Sequence, residues 1–272
     1  MNSIKQVFEN NHKNSKGCLI GYITAGDPIL DVTLKIADAL IHGGVDVLEL
    51  GLPFSDPIAD GPTIQAASLR ALNSGATPMK VLEIAREIKN IHDHIPLVIM
   101  TYYNPVFHTG LDTFLASAKE CGVNGFIVPD LPVEEASDFK KVSTNYCLDT
   151  VFLVAPSTSN ERLSRIVSAS SGFLYLISRL GVTGANATLE ESTVQLIQRV
   201  KPFAAEKIPL AVGFGISQPD HVRKVIKAGA DAAIVGSAFI NIIQKNMDNT
   251  VVMLKEIEIA AKVLKKATEF ER

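Results

Sequence analysis

The chain has 272 residues, 47% of them hydrophobic and 20% charged, with a net charge of −3. That balance suits a globular protein with a substantial core and carries no polycationic surface for nucleic acid. No apolar run reaches the roughly 18 residues of a membrane helix, and the opening "MNSIKQVFENNHKNSKG" lacks the apolar core of a signal peptide, so a cytoplasmic protein is expected.

After a short amphipathic helix around Ile4, Val7 and Phe8, eight apolar runs follow in order. They begin at residues 18, 45, 96, 125, 150, 172, 209 and 232 and are nearly continuous in apolar character, as strands of a parallel sheet covered on its faces should be. Helical stripes lie between them: Leu30, Leu34, Ala37, Leu40 and Ile41; then Leu111, Phe114, Leu115 and Ala118; near the end Leu254, Ile257, Ala261 and Leu264. Eight alternations predict a (β/α)8 TIM barrel, with residues 1–272 as a single domain. An open doubly wound sheet is the alternative, although no GxGxxG follows the first run. Two connections are long. Residues 55–95 have room for a loop and two helices, and residues 180–208 open with "LGVTGANATLEES". Both are expected over the active mouth, since long loops of this kind are commonly lids or binding loops.

The second run contains an anomaly, Glu49 in "VDVLELGLPF". A buried carboxylate is costly unless it is paired or its pKa shifts upward. Side chains alternate along a strand, so Val47, Glu49 and Gly51 share one face and the leucines the other. The leucines belong against the helices, which leaves Glu49 inside the barrel near its C-terminal mouth, where barrel active sites lie. The same parity turns Tyr175 inward on the sixth run. Pairing of Glu49 with a buried cation is the structural alternative, yet Arg179 is the one basic residue at a strand end. The seventh and eighth runs end in "GFGIS" and "IVGSAF", where Gly213, Gly215, Gly236 and Ser237 suit a phosphate held by backbone N–H groups and a helix start.

The absences are informative too. Without a strand-end lysine a Schiff-base aldolase is disfavoured. Histidines 12, 42, 92, 94, 108 and 221 form no metal set, and His92 and His94 precede a strand, where a solvated role is expected. Cys18, Cys121 and Cys147 show no metal or disulfide spacing and read as reduced small hydrophobes.

Six blocks carry a family likeness. "LELGLPFSDPIADGPTIQ" closely resembles the signature of the tryptophan synthase alpha chain family. "YITAGDP", "MTYYNPV", "VPDLP", "SRLGVTG" and "VGFGIS" resemble that family's further blocks, in its order. The resemblance spans nearly the whole chain. It implies a barrel that cleaves indole-3-glycerol phosphate to indole and glyceraldehyde 3-phosphate without a cofactor or metal of its own. By resemblance Glu49 is the general acid–base residue and Asp60 addresses the indole N–H. Tyr22, Phe214, Met100, Ile127 and Ile234 would line the indole pocket, and Tyr175 would sit beside the glycerol chain. Gly184, Gly215, Gly236 and Ser237 would hold the phosphate, with Thr183 helping to close the loop. The resemblance also implies a beta subunit, carrying pyridoxal phosphate, in an alpha2beta2 assembly. Asp56 and Pro57, on the exposed "SDPIADG" loop, are the expected contact. One departure is that "ANATLEE" follows "GVTG", where many members have a basic residue nearby. Stand-alone indole-forming lyases match the same motifs. A sugar-phosphate isomerase would need metal ligands or a lysine at the strand ends, and a plain phosphate binder would have no use for Glu49.

Overall fold

In a barrel the inner and outer faces of every strand are both covered, so apolar runs become strands without needing a polar face. The computed structural model describes residues 3–177, 189–205, 207–213 and 215–269. Among these the strands are β1 (Cys18–Thr24), β2 (Val47–Gly51), β3 (Leu97–Met100), β4 (Gly125–Ile127), β5 (Asp149–Val151), β6 (Leu153–Val154), β7 (Leu174–Ile177), β8 (Leu210–Gly213) and β9 (Ala232–Val235). The helices are α1 (Ile4–Lys13), α2 (Leu30–His42), α3 (Pro62–Asn73), α4 (Pro78–Ile91), α5 (Tyr103–Thr109), α6 (Leu111–Glu120), α7 (Ser137–Asn145), α8 (Asn160–Ala169), α9 (Leu189–Ala204), α10 (Pro219–Lys227), α11 (Ser237–Lys245) and α12 (Thr250–Lys266).

All strand pairs are parallel, in the order β5-β4-β3-β2-β1-β9-β8-β7-β6. The fifth apolar run forms both ends of that series, because it breaks at Phe152 into β5 and β6. The Tyr175 N–H donates to the Phe152 carbonyl across the break. The eight expected runs therefore form the barrel, with one divided. The two expected insertions also take shape: α3 and α4 fill residues 55–95, and α9 occupies the second half of the 180–208 connection.

Two apolar layers follow from strand parity. Leu48, Leu50 and Leu52 join the large cluster between strands and helices. Val47, Val98, Ile127, Val151, Phe173 and Tyr175 form an inner cluster that is continued at the bottom of the barrel by Ile4, Val7 and Phe8 of α1. A capping box on Ser3 and Gln6 starts that helix, which plugs the barrel's N-terminal end. On α2 the buried face is Val32, Ile36, Ala37 and Leu40, while Leu34 and Ile41 of the expected stripe are only partly covered. The stripe turns because α2 also packs against α12, so closely that a Cβ on Gly43 would lie 2.3 Å from that of Ala261.

The bottom rim has a recurring device. A short polar residue one to three positions before a strand accepts an N–H near the start of the preceding apolar run. Asp46 takes the N–H of Leu19, Asn124 that of Leu97, Ser171 that of Thr150 and Asp231 that of Leu210. Each satisfies a donor that burial would otherwise strand. Asp46 also meets the Lys265 ammonium at 2.7 Å, tying α12 to the rim.

His92 departs from expectation. It is buried, and its Nε2 lies 2.8 Å from Asp38 Oδ1, because the end of α4 turns the ring against α2. Cys18 and Cys121 are buried as expected, whereas Cys147 is exposed at a positive φ of 52°.

Candidate active site

The C-terminal ends of β1, β2, β3, β7, β8 and β9 surround one cavity, roofed by the segment that leads into α3. From the expected set it brings together Tyr22, Glu49, Asp60, Met100, Tyr175, Gly215, Ile234, Gly236 and Ser237. Ile127 is fully buried in the inner cluster and is not among the cavity's lining residues. Thr183, Gly184 and Phe214 lie outside the described residues. Asp56 is exposed, and Pro57 partly so, on the loop above.

Glu49 sits in the cavity floor, 1% exposed, and neither carboxyl oxygen has a hydrogen-bond partner among the described residues. Among the described residues no cation offsets it there; Arg179, the basic residue at a strand end, lies outside them. Burial, reinforced by the negative charge of Asp60, pushes its pKa up to about 8. At neutral pH it is therefore mainly protonated, an acid held on rigid backbone.

Asp60 enters from above on the loop after β2. Burial lifts its pKa to about 6, against a lowering contribution from the Tyr102 hydroxyl. It stays ionised at neutral pH, with a smaller margin than its polar loop suggests. Two carboxyls thus face one space with pKa values apart, the arrangement that separates an acid from an anion.

Two tyrosines shape the floor, and each depends on a glycine of a neighbouring strand. A Cβ on Gly51 would lie 2.3 Å from the Tyr22 hydroxyl, and one on Gly213 would lie 2.3 Å from that of Tyr175. The Tyr22 hydroxyl is 3.1 Å from Thr24 Oγ1. Burial holds both phenols well above their ordinary pKa, with the charge of Glu49 contributing, so both remain neutral donors.

The far end of the cavity is made by Gly215, Ile216, Gly236 and Ser237. There α11 begins at Ser237, its positive end turned to the cavity, an arrangement that favours an anion. Gly215 has a φ of 76°, a left-handed conformation suited to glycine.

Sequence reasoning missed Gly61, Pro62, Thr63, Ile64 and Ile216 as lining. Pro62, in the first turn of α3 after Gly61, marked a helix start directly behind Asp60 and was the available signal. Among the described residues, no group of three or more His, Cys, Asp or Glu could hold a metal ion. No helix of the described residues is long and apolar enough to cross a membrane.

Comparison with known proteins adds a second line. A family model described as tryptophan synthase alpha chain matches residues 8–269. A tryptophan synthase alpha chain from Methanosarcina acetivorans is 50% identical over 242 residues, covering 89% of this chain and 86% of its own. The crystal structure of tryptophan synthase subunit alpha from Legionella pneumophila superposes with a TM-score of 0.89 at 36% identity, covering 98% of each chain. A chain of the tryptophan synthase complex from Pyrococcus furiosus superposes at 0.82 with 38% identity, over 92% of this chain and 98% of that one.

The buried acid has a measurable cost. Unfolded, Glu49 ionises near its ordinary 4.5; folded, it does so near 8. Below 4.5 both states hold the proton and the difference vanishes. As pH rises through that window ionisation increasingly favours the unfolded chain, and the penalty is complete above 8. Glu49→Gln removes it. The variant's stability relative to the parent should rise by a few kcal/mol across the window and level off above it. Urea unfolding at a series of pH values checks this, and a difference independent of pH would contradict it.

Proposed function

Because the chain belongs to the tryptophan synthase alpha chain family, we propose that it cleaves indole-3-glycerol phosphate to indole and glyceraldehyde 3-phosphate by a retro-aldol step. The observation that carries this reading is Glu49: a buried, unpartnered carboxyl under a cavity with Asp60 above it and a helix N-terminus at its far end.

Direct scission would expel a carbanion from an aromatic ring. The Glu49 carboxyl first gives its proton to indole C3, producing an indoleninium. The Asp60 carboxylate stabilises the positive N1–H. The Glu49 carboxylate then takes the proton of the glycerol hydroxyl adjacent to the breaking bond, whose electrons return to the ring. Indole and the aldehyde form, and Glu49 is again protonated. Tyr175, kept neutral, sits beside Glu49 and the glycerol chain. Gly215, Gly236 and Ser237 take the phosphate, with Gly184. Tyr22, Met100 and Ile234 form the indole pocket, with Phe214 and Ile127 assigned to it by resemblance, and Thr183 helps to close the loop. These steps need no cofactor from this chain.

Single-turnover indole release should follow a bell in pH, with limbs near 6 from Asp60 and near 8 from Glu49. Glu49→Gln should lower it by about 10²–10⁴-fold while glycerol phosphate still binds. Asp60→Asn should also cut the rate. Near-normal cleavage by Glu49→Gln would overturn the reading.

Indole is small and apolar, so release to solvent would lose it. The likeness to a tryptophan synthase complex supports a beta subunit that receives it in an alpha2beta2 assembly and condenses it with serine on that subunit's own pyridoxal phosphate. The mouth offers an apolar rim: Ile58 is 83% exposed beside Asp56 and Pro57, and Phe107 of α5 is 70% exposed. Docking there would order the loop holding Asp60 and so couple binding to catalysis. Saturating beta subunit should raise indole output at least about tenfold, a coupling of about 1.4 kcal/mol, and Pro57→Ala should weaken that activation. An isolated chain already at full rate and unmoved by beta subunit would instead identify a stand-alone lyase.

A further inference from the structure

The loop that carries Asp60 is held from a neighbouring strand end by one side chain. Tyr102 lies two residues beyond β3 and is 3% exposed. Its ring packs on Phe54, at the start of the loop, with centroids 5.4 Å apart. Its hydroxyl accepts the N–H of Ala59, near the loop's end, at 2.9 Å. Between these two anchors Ser55, Asp56 and Ile58 are exposed. A phenol that accepts an N–H keeps its own proton to donate, and Asp60, the residue after Ala59, carries the carboxyl whose pKa that hydroxyl lowers. Behind Asp60, its carbonyl accepts from Gln65 Nε2 at 2.8 Å, which fixes the backbone and leaves the carboxyl to Tyr102 and the cavity.

We propose that Tyr102 is a positioning residue for Asp60: its ring holds one end of the loop and its hydroxyl the other, and the hydroxyl proton fixes the carboxylate over the cavity. Catalytic use of that carboxylate rests on the reaction proposed above. Among the described residues the other titratable groups acting around Asp60 are Glu49 from β2, Tyr22 from β1 and Tyr175 from β7, none of them cationic. The Tyr102 hydroxyl accordingly opposes the upward push of burial on Asp60. Through it the carboxylate stays ionised while Glu49 stays protonated.

The test is Tyr102→Phe, which deletes one oxygen and keeps the ring on Phe54. In protein labelled with ¹³C-carboxyl aspartate, Asp60→Asn identifies the Asp60 resonance by its loss. In the parent that resonance should titrate near 6. In Tyr102→Phe it should titrate about one unit higher, since a donor to the charged form is gone. The acid limb of indole release should move with it, giving a loss of about tenfold below that limb that is recovered at higher pH, with KM little changed. An unmoved Asp60 titration overturns the inference, whatever the turnover. A moved titration in a protein that makes no indole leaves the inference standing and overturns the proposed reaction. If Tyr102→Phe does not fold, the parent decides: the Ala59 amide should exchange at least about tenfold more slowly than an unstructured amide, and free exchange would refute the anchor.

Discussion

A carboxyl group buried beneath the barrel mouth is the constraint on which the rest of the structure depends. Glu49 has no cation and no hydrogen-bond donor of the described protein to offset its burial. A side chain in that position survives by holding its proton, and the surroundings are arranged to let it. Below it lies the inner cluster, closed at the bottom by Ile4, Val7 and Phe8. Above it, among the described residues, the charge that acts on it is negative, on Asp60, and raises the pKa of Glu49 further. The cost falls on folding stability at neutral pH. The return is a proton donor whose strand cannot drift.

Geometry around that carboxyl depends on what is missing from neighbouring strands. Gly51 and Gly213 lack the Cβ atoms that would strike the Tyr22 and Tyr175 hydroxyls, so two large rings fit inside a narrow barrel and frame Glu49. At the opposite end the glycines serve backbone exposure, beside the start of α11. The same residue type therefore makes room for side chains in one part of the cavity and for an anion in another. In the roof, Ser55, Asp56 and Ile58 are exposed and lie within five residues of Asp60 along the loop, so an event at the rim has a short path to the chemistry.

Much of this was legible in the sequence. Parallel strands buried on both faces read as apolar runs, which made the barrel countable, and within such a run Glu49 stood out by its cost alone. Parity then placed Glu49 and Tyr175 inside. What escaped depends on contacts between distant segments. The break at Phe152 divides a run that is apolar throughout. The ring of His92 meets Asp38 only because α4 packs on α2. Tyr102 sits in "MTYYNPV" with nothing local to distinguish it from Tyr103, and its role appears only when folding brings Ala59 to its hydroxyl. Thr63, Ile64 and Ile216 have no unusual chemistry and become lining by position alone.

The most direct test of the account is the titration of Glu49 itself, in protein without ligand. With ¹³C-carboxyl glutamate, and Glu49→Gln to assign the resonance, the carboxyl should remain protonated through neutral pH and titrate near 8. A midpoint near the ordinary 4.5 would mean that the carboxyl is ionised in the folded barrel and is not the acid that starts the reaction.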